Sequence, residues 1–85
     1  MSAPVTLRGI VKDNVYKDSN GHPKRIVTLL QKNNHVAYIE FRGGKMDLLN
    51  LVEIDDEVRV VITVEGKLSG STGVHYNNLV AQNIT

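Results

Sequence analysis

The sequence contains no cysteine, so a secreted disulfide scaffold is excluded. Its apolar stretches run only a few residues at a time, too short to span a bilayer. The opening Met1-Ser2-Ala3-Pro4 carries no apolar run of the signal-peptide kind. A soluble, cytoplasmic protein is the expectation. Internal repeats, low-complexity tracts and linkers are absent. Aromatic residues make up 5% of the chain and the net charge is +1, so composition alone advertises neither a stacking surface nor a strong field.

Reactive constellations are missing as well. The histidines, His22, His35 and His75, lie in or beside turn-forming residues and lack the spacing of a metal site. No cysteine nucleophile, no glycine-rich phosphate loop opening a helix and no paired carboxylates on strand ends are present. The acidic run between Glu53 and Glu57 lacks the alternating oxygen ligands of a calcium loop, and a solvated turn explains it better. The expectation is a protein that is not an enzyme and holds no metal or cofactor.

What is present is a β pattern. The chain of 85 residues is long enough for one domain, 1–85, and its core is small, so oligomerisation is the expected added source of stability. Val5-Thr6-Leu7-Arg8 alternates apolar and polar, Gly9 interrupts, and Ile10-Val11-Lys12 resumes. An isolated glycine inside a strand marks the bulge or bend a small barrel needs. Asp18 to Pro23 is a dense turn signal centred on Asn20-Gly21. A second strand is expected over 24–31, a turn at Lys32-Asn33-Asn34 and a third strand over 35–42. From Lys45 to Val52 the period lengthens, with Met46, Leu49 and Val52 (or Leu48 and Leu51) on one face, so a short helix is predicted. Asp55-Asp56 turns the chain into the clearest strand, 57–66, in which Val58, Val60, Ile62 and Val64 face one way. A hairpin loop, Ser69-Gly70-Ser71-Thr72-Gly73, precedes the last strand, 76–84, with Leu79 and Ala81 inward.

This order, β-β-β-α-β-β, predicts an all-β fold: a five-stranded Greek-key OB-fold barrel with one short helix between strands three and four. A β-sandwich needs more strands, and an SH3-like barrel lacks the helix.

Charge is unevenly placed. Residues 1–46 hold eight basic groups and three acids, whereas 47–57 hold five acids and no base. A polarised surface is expected, with scattered solvated charge as the plainer alternative.

The stretch Phe41-Arg42-Gly43-Gly44-Lys45-Met46, then Leu49, Asp55-Asp56-Glu57-Val58-Arg59-Val60, Glu65-Gly66-Lys67-Leu68 and Tyr76-Asn77-Asn78-Leu79-Val80-Ala81 resembles the second half of the single-stranded DNA-binding protein family. Leu7-x-Gly9-x-Val11 is similar to that family's first strand. The chain is more similar still to a group of short bacterial and phage OB-fold proteins of unknown function. The resemblance implies single-strand binding in replication, recombination or repair, in a bacterial cell or a phage-infected host. Three departures stand out. Arg42 stands where the family places an aromatic, and Asp55 replaces the usual turn glycine. The chain stops at Thr85 without the acidic-tipped tail that recruits partners, so recruitment of that kind is not expected.

A sequence-tolerant single-strand binder needs cations that track phosphates and flat side chains that stack on bases. Taking Ala37, Ile39 and Phe41 as inward, Val36, Tyr38, Glu40 and Arg42 face outward on the third strand. Tyr38 and Arg42 are the leading stacking candidates, since a guanidinium plane also stacks. Tyr16, Lys17, Lys24 and Arg25 flank the first hairpin, and Lys45 opens the helix. Lys67, His75 and Tyr76 flank the last loop. Against these stand plain alternatives: a tyrosine covering a barrel seam, a solvated turn, and for Tyr76 a partly core role. Glu40 on the same face repels phosphate unless Arg42 or a lysine neutralises it. The partners expected are single-stranded DNA, with RNA as the alternative, and further copies of the chain as a homodimer or higher homo-oligomer. The latter follows from aliphatic residues on outward faces, Val61, Ile26, Leu30 and Val36. A protein-interaction or structural OB module is the remaining rival.

Overall fold

The computed structural model describes residues 3–68 and 75–85, with the side chains of Ser19, Lys67, Leu68, His75 and Tyr76 outside that description. The loop read from the sequence at Ser69 to Gly73 also lies outside the described residues. Five strands form: β1 Val5–Ser19, β2 His22–Leu30, β3 Val36–Arg42, β4 Glu57–Leu68 and β5 His75–Ile84. They close in the order β1-β2-β3-β5-β4, with β3 and β5 parallel and every other pair antiparallel. This is the five-stranded OB-type barrel that the sequence pattern predicts.

Closure depends on β1 being shared. Val5 to Ile10 pair with β4, Ile10 onward pairs with β2, and Ile10 itself faces both Leu30 and Glu57. Gly9 sits just before this switch. A Cβ built there would collide with the backbone carbonyl oxygen of Leu30 and lie 2.9 Å from Leu29 Cγ. The missing side chain therefore permits the close approach of β1 and β2 that seals the barrel. Past Val11 the register slips by one residue at Lys12, a bulge that bends β1 into its second pairing. Lys12 is steadied there by an ion pair with Asp55 at 2.9 Å. The backbone of Val11 also exchanges hydrogen bonds with Asp55 and Asp56. Asp55 has φ +76, the left-handed conformation that glycine adopts most readily.

The hairpin between β1 and β2 turns on only two residues, Asn20 and Gly21, both with positive φ, and the strands run further into the predicted turn than sequence suggests. A 3-10 turn over Lys32–Asn34 links β2 to β3.

The predicted helix between β3 and β4 forms as a 3-10 helix, Gly43–Leu49, starting two residues earlier than expected. Its hydrogen bonds continue as Asn50 N–H to Asp47 and Val52 N–H to Leu49, three residues apart. The three-residue spacing of Met46, Leu49 and Val52 fits that period. Leu49 is buried, Met46, Leu48 and Val52 pack against the core, and Leu51 stays almost fully exposed at 93%. The helix closes the end of the barrel to which β3 leads.

The core consists of the inward alternates: Val11, Val27, Leu29, Ala37, Ile39, Phe41, Val58, Val60, Ile62 and Ala81, with Leu49 from the helix. Among the described residues, none forms a helix over the opposite end of the barrel. There Val5, Leu7, Val64 and Leu79 line an open depression of about 610 Å³, and Val5 and Val64 are exposed although they carry the inward parity. No helix among the described residues is long and apolar enough to cross a membrane.

Candidate functional site

Strand alternation assigns the outer face of β2 and β3 directly. Ala37, Ile39 and Phe41 are buried, so Val36, Tyr38, Glu40 and Arg42 point outward. On β2 the buried Val27 and Leu29 set Lys24, Ile26 and Thr28 on that same outer face. Tyr38 is 64% exposed, a ring lying open rather than sealing a seam. It borders a cleft of about 250 Å³ whose other walls are Lys24, Ile26 and Glu40 on one side and Asn77, Asn78 and Leu79 of β5 on the other.

Register places three cations in one row across the sheet. Lys17 of β1 faces Lys24 of β2, and Lys24 faces Arg42 of β3. Like charges directly opposite one another repel, so such a row needs anions. Two come from the chain itself. Lys24 Nζ donates to Glu40 Oε1 at 2.8 Å. Arg42 donates through Nη1 to Glu65 Oε2 at 3.0 Å and through Nη2 to Glu40 Oε2 at 3.4 Å. Glu40 is thus neutralised by both cations. It is also buried, although it points outward, because the long side chains of Lys24 and Arg42 lie over it. Burial pushes its carboxyl pKa up, but the hydrogen bonds and charges of Lys24 and Arg42 outweigh this and hold it below its ordinary value. Burial lowers the Arg42 pKa, and the carboxylates of Glu40 and Glu65 more than reverse that. Counting these two acids against the three cations leaves the row with one positive charge in excess.

The structure therefore brings together Tyr38, Arg42, Lys24 and Lys17. It separates others from them. Arg25 shares the inward parity of Val27 and Leu29 and faces Tyr16 across the ribbon. Its guanidinium carbon lies 5.6 Å from the Tyr16 ring centroid, and its Nη1 reaches Asn14 Oδ1 at 3.4 Å. Tyr16 and Arg25 thus stack on each other on the reverse of the hairpin from Lys17 and Lys24. Lys45 sits on the 3-10 helix and donates to the backbone carbonyl of Gln82 at 3.0 Å. Lys67 and Leu68 pair with Tyr76 and His75 in backbone register. The side chains of Lys67, His75 and Tyr76 lie outside the described residues.

Of the outward aliphatic residues, Val61 lies apart from the others. Val61 pairs with Thr6 and Asn83 on the β1-β4-β5 side, away from Ile26, Leu30 and Val36 on β2 and β3. Two residues around this face escaped sequence reasoning: Asn78, which lines the cleft, and Glu65, the partner of Arg42. Alternation gives Glu65 an outward direction, but only the closure of β5 onto β3 brings it to Arg42.

Among the described residues, no group of three or more His, Asp or Glu side chains comes together as a metal site. No family model matches the chain, and no curated protein matches it in sequence.

Proposed function

We propose that this protein binds single-stranded DNA with little sequence preference, in the service of replication, recombination or repair. The observation that carries the reading is Tyr38: an open ring on the outer face of β3, at the edge of a cleft that Lys24 also lines, with Lys17 and Arg42 flanking Lys24 across the strands. Bases stack on the ring, and the cation row takes the backbone phosphates. Each stacked base contributes on the order of 1–3 kcal/mol. The resemblance to single-strand-binding proteins supports the same face.

Titration of labelled poly-dT, poly-rU and duplex DNA at several salt concentrations tests it. Single strands bind more tightly than duplex, and affinity falls with salt by about 0.7 log units per log unit for each phosphate contact. Roughly two to five contacts per protomer are expected. A salt-independent signal, or preference for duplex, overturns the reading. Tighter binding of poly-rU moves the substrate to RNA.

A second feature favours self-association alongside this activity. Leu51 and Ile54 are both exposed in the loop between the 3-10 helix and β4, away from the cleft. Paired exposed aliphatics on a small domain mark an interface, and a homodimer or higher oligomer aligns several weak sites along one strand. Sedimentation equilibrium of the wild type and Leu51→Ser measures this. A monomer mass for the wild type at all micromolar concentrations removes the oligomer.

A further inference from the structure

Arg8 of β1 and Arg59 of β4 face each other directly across strands on the side of the barrel away from the Lys24–Arg42 row. Both are exposed, and among the described residues neither forms an ion pair. Two opposed guanidinium groups repel, and an anion set between them reverses the sign of that interaction. They line a depression of about 400 Å³ together with Val58, Thr85, whose backbone exchanges hydrogen bonds with that of Arg59, and Glu57, the one acidic side chain among the described residues lining it, which lies beyond ion-pair distance. Arg8 also lines a neighbouring depression of about 440 Å³ with Lys32 and His35, and no acid is among the described residues around it.

These hollows are not isolated. The Tyr38 cleft shares Tyr38 and Leu79 with the open end of the barrel. The open end shares Leu7 and Gln31 with the Lys32 hollow, and that hollow shares Arg8 with the Arg59 depression. A continuous surface therefore runs from an aromatic ring, over exposed valines, to unpaired cations. Each nucleotide of a strand laid along this surface carries both a base and a phosphate, so bases meet the ring and the apolar stretch while phosphates meet the cations.

We propose that a strand held at Tyr38 continues over the end of the barrel opposite the 3-10 helix and sets its phosphates on a second cationic site built by Arg8, Arg59 and Lys32. This rests on the single-strand reading above and extends it from one face to a path around the barrel end. The planar forks of Arg8 and Arg59 suit bidentate phosphate contacts, which lysine at the same positions makes only as point charges.

The test compares oligothymidylates of about 5 and about 12 nucleotides, within the range a single OB barrel holds. The short probe spans the Tyr38 cleft alone, and the long one reaches Arg8 and Arg59. In the wild type, lengthening raises affinity by roughly tenfold or more. In the Arg8→Ala/Arg59→Ala variant most of that gain is lost, and the salt slope for the long probe falls by about 0.7 for each phosphate contact removed. Arg8→Lys/Arg59→Lys restores part of the gain, and circular dichroism confirms that both variants fold. If the wild type binds both probes and the double alanine variant keeps the full gain, or weakens both probes equally, the path is wrong while the Tyr38 site stands. If the wild type binds neither probe, the single-strand reading fails and takes the path with it.

Discussion

Lys24 Nζ lies 2.8 Å from Glu40 Oε1, a diagonal contact, since the direct cross-strand neighbour of Lys24 is Arg42. One buried acid thereby holds two cations of the proposed binding face in fixed positions. Pre-orientation of this kind lowers the side-chain entropy lost when a phosphate arrives. It also cancels charge that an incoming phosphate would otherwise meet, so Glu40 trades affinity for order.

Removing that charge while keeping the shape separates the two effects. Glu40→Gln leaves Lys24 with no acid among its described partners, and Arg42 with Glu65 alone. Single-strand affinity is expected to rise several-fold at low salt, with a steeper salt dependence because more uncompensated cations face the phosphates. Fluorescence titration at several salt concentrations reads both quantities. A variant with weaker binding and an unchanged slope places the phosphates elsewhere.

The same carboxyl makes stability depend on pH. Its folded-state pKa is held below the ordinary value, so it contributes stability that is fully present above the ordinary carboxylate range. That contribution is lost as pH falls through the lowered folded value. Urea midpoints of the wild type and Glu40→Gln, measured from neutral pH downward, are expected to converge on the acid side. Parallel curves would show that Glu40 gains nothing from Lys24 and Arg42 in the folded state.

Much of this arrangement is legible in the sequence. Two-residue alternation gives the inward set Ala37, Ile39 and Phe41, and with it the outward direction of Tyr38 and Arg42, because a strand's faces are fixed by parity. Asn20-Gly21 announces its own turn. Parity also separates Arg25 from Lys24, yet nearness to one hairpin suggests a joint site; a hairpin is a ribbon with two faces, and adjacent residues fall on opposite ones. The Glu40–Arg42–Glu65 cluster and the Arg8–Arg59 pair come from non-local pairing. No local pattern encodes which strands become neighbours on closure. The helix hides its type for a different reason. The five apolar positions of 45–52 satisfy a period of 3.0 about as well as 3.6.

Two glycines make opposite demands on an added methyl group. Gly21 has φ +77, and a Cβ added there would meet nothing within 4 Å, so Gly21→Ala costs only the left-handed backbone, about 1–2 kcal/mol. Gly9→Ala drives a Cβ into the Leu30 carbonyl, and backbone cannot rotate away as a side chain can. Its cost is expected at or above the top of the roughly 1–3 kcal/mol range of overpacking. Chemical denaturation of both variants ranks them. Equal destabilisation would mean that the approach of β1 to Leu30 is not what closes the barrel.

Tyr38 and Phe41 lie three positions apart on β3 and so on opposite faces, which makes them a matched test of register and function. Phe41 is fully buried among inward residues of the other strands. Phe41→Ala removes that packing and is expected to lower stability by roughly 3–5 kcal/mol. Tyr38 is exposed, and its loss leaves no cavity, so Tyr38→Ala should unfold at nearly the wild-type denaturant concentration. Its single-strand affinity should instead fall by about 1–3 kcal/mol for each base stacked on the ring. Tyr38→Phe, which keeps the flat ring without its hydroxyl, should bind almost as the wild type does, because stacking depends on the ring. Loss of affinity in both Tyr38 variants would assign the contact to the hydroxyl as a hydrogen-bond donor. Full affinity in Tyr38→Ala would remove the ring from the site and leave the cation row to act alone.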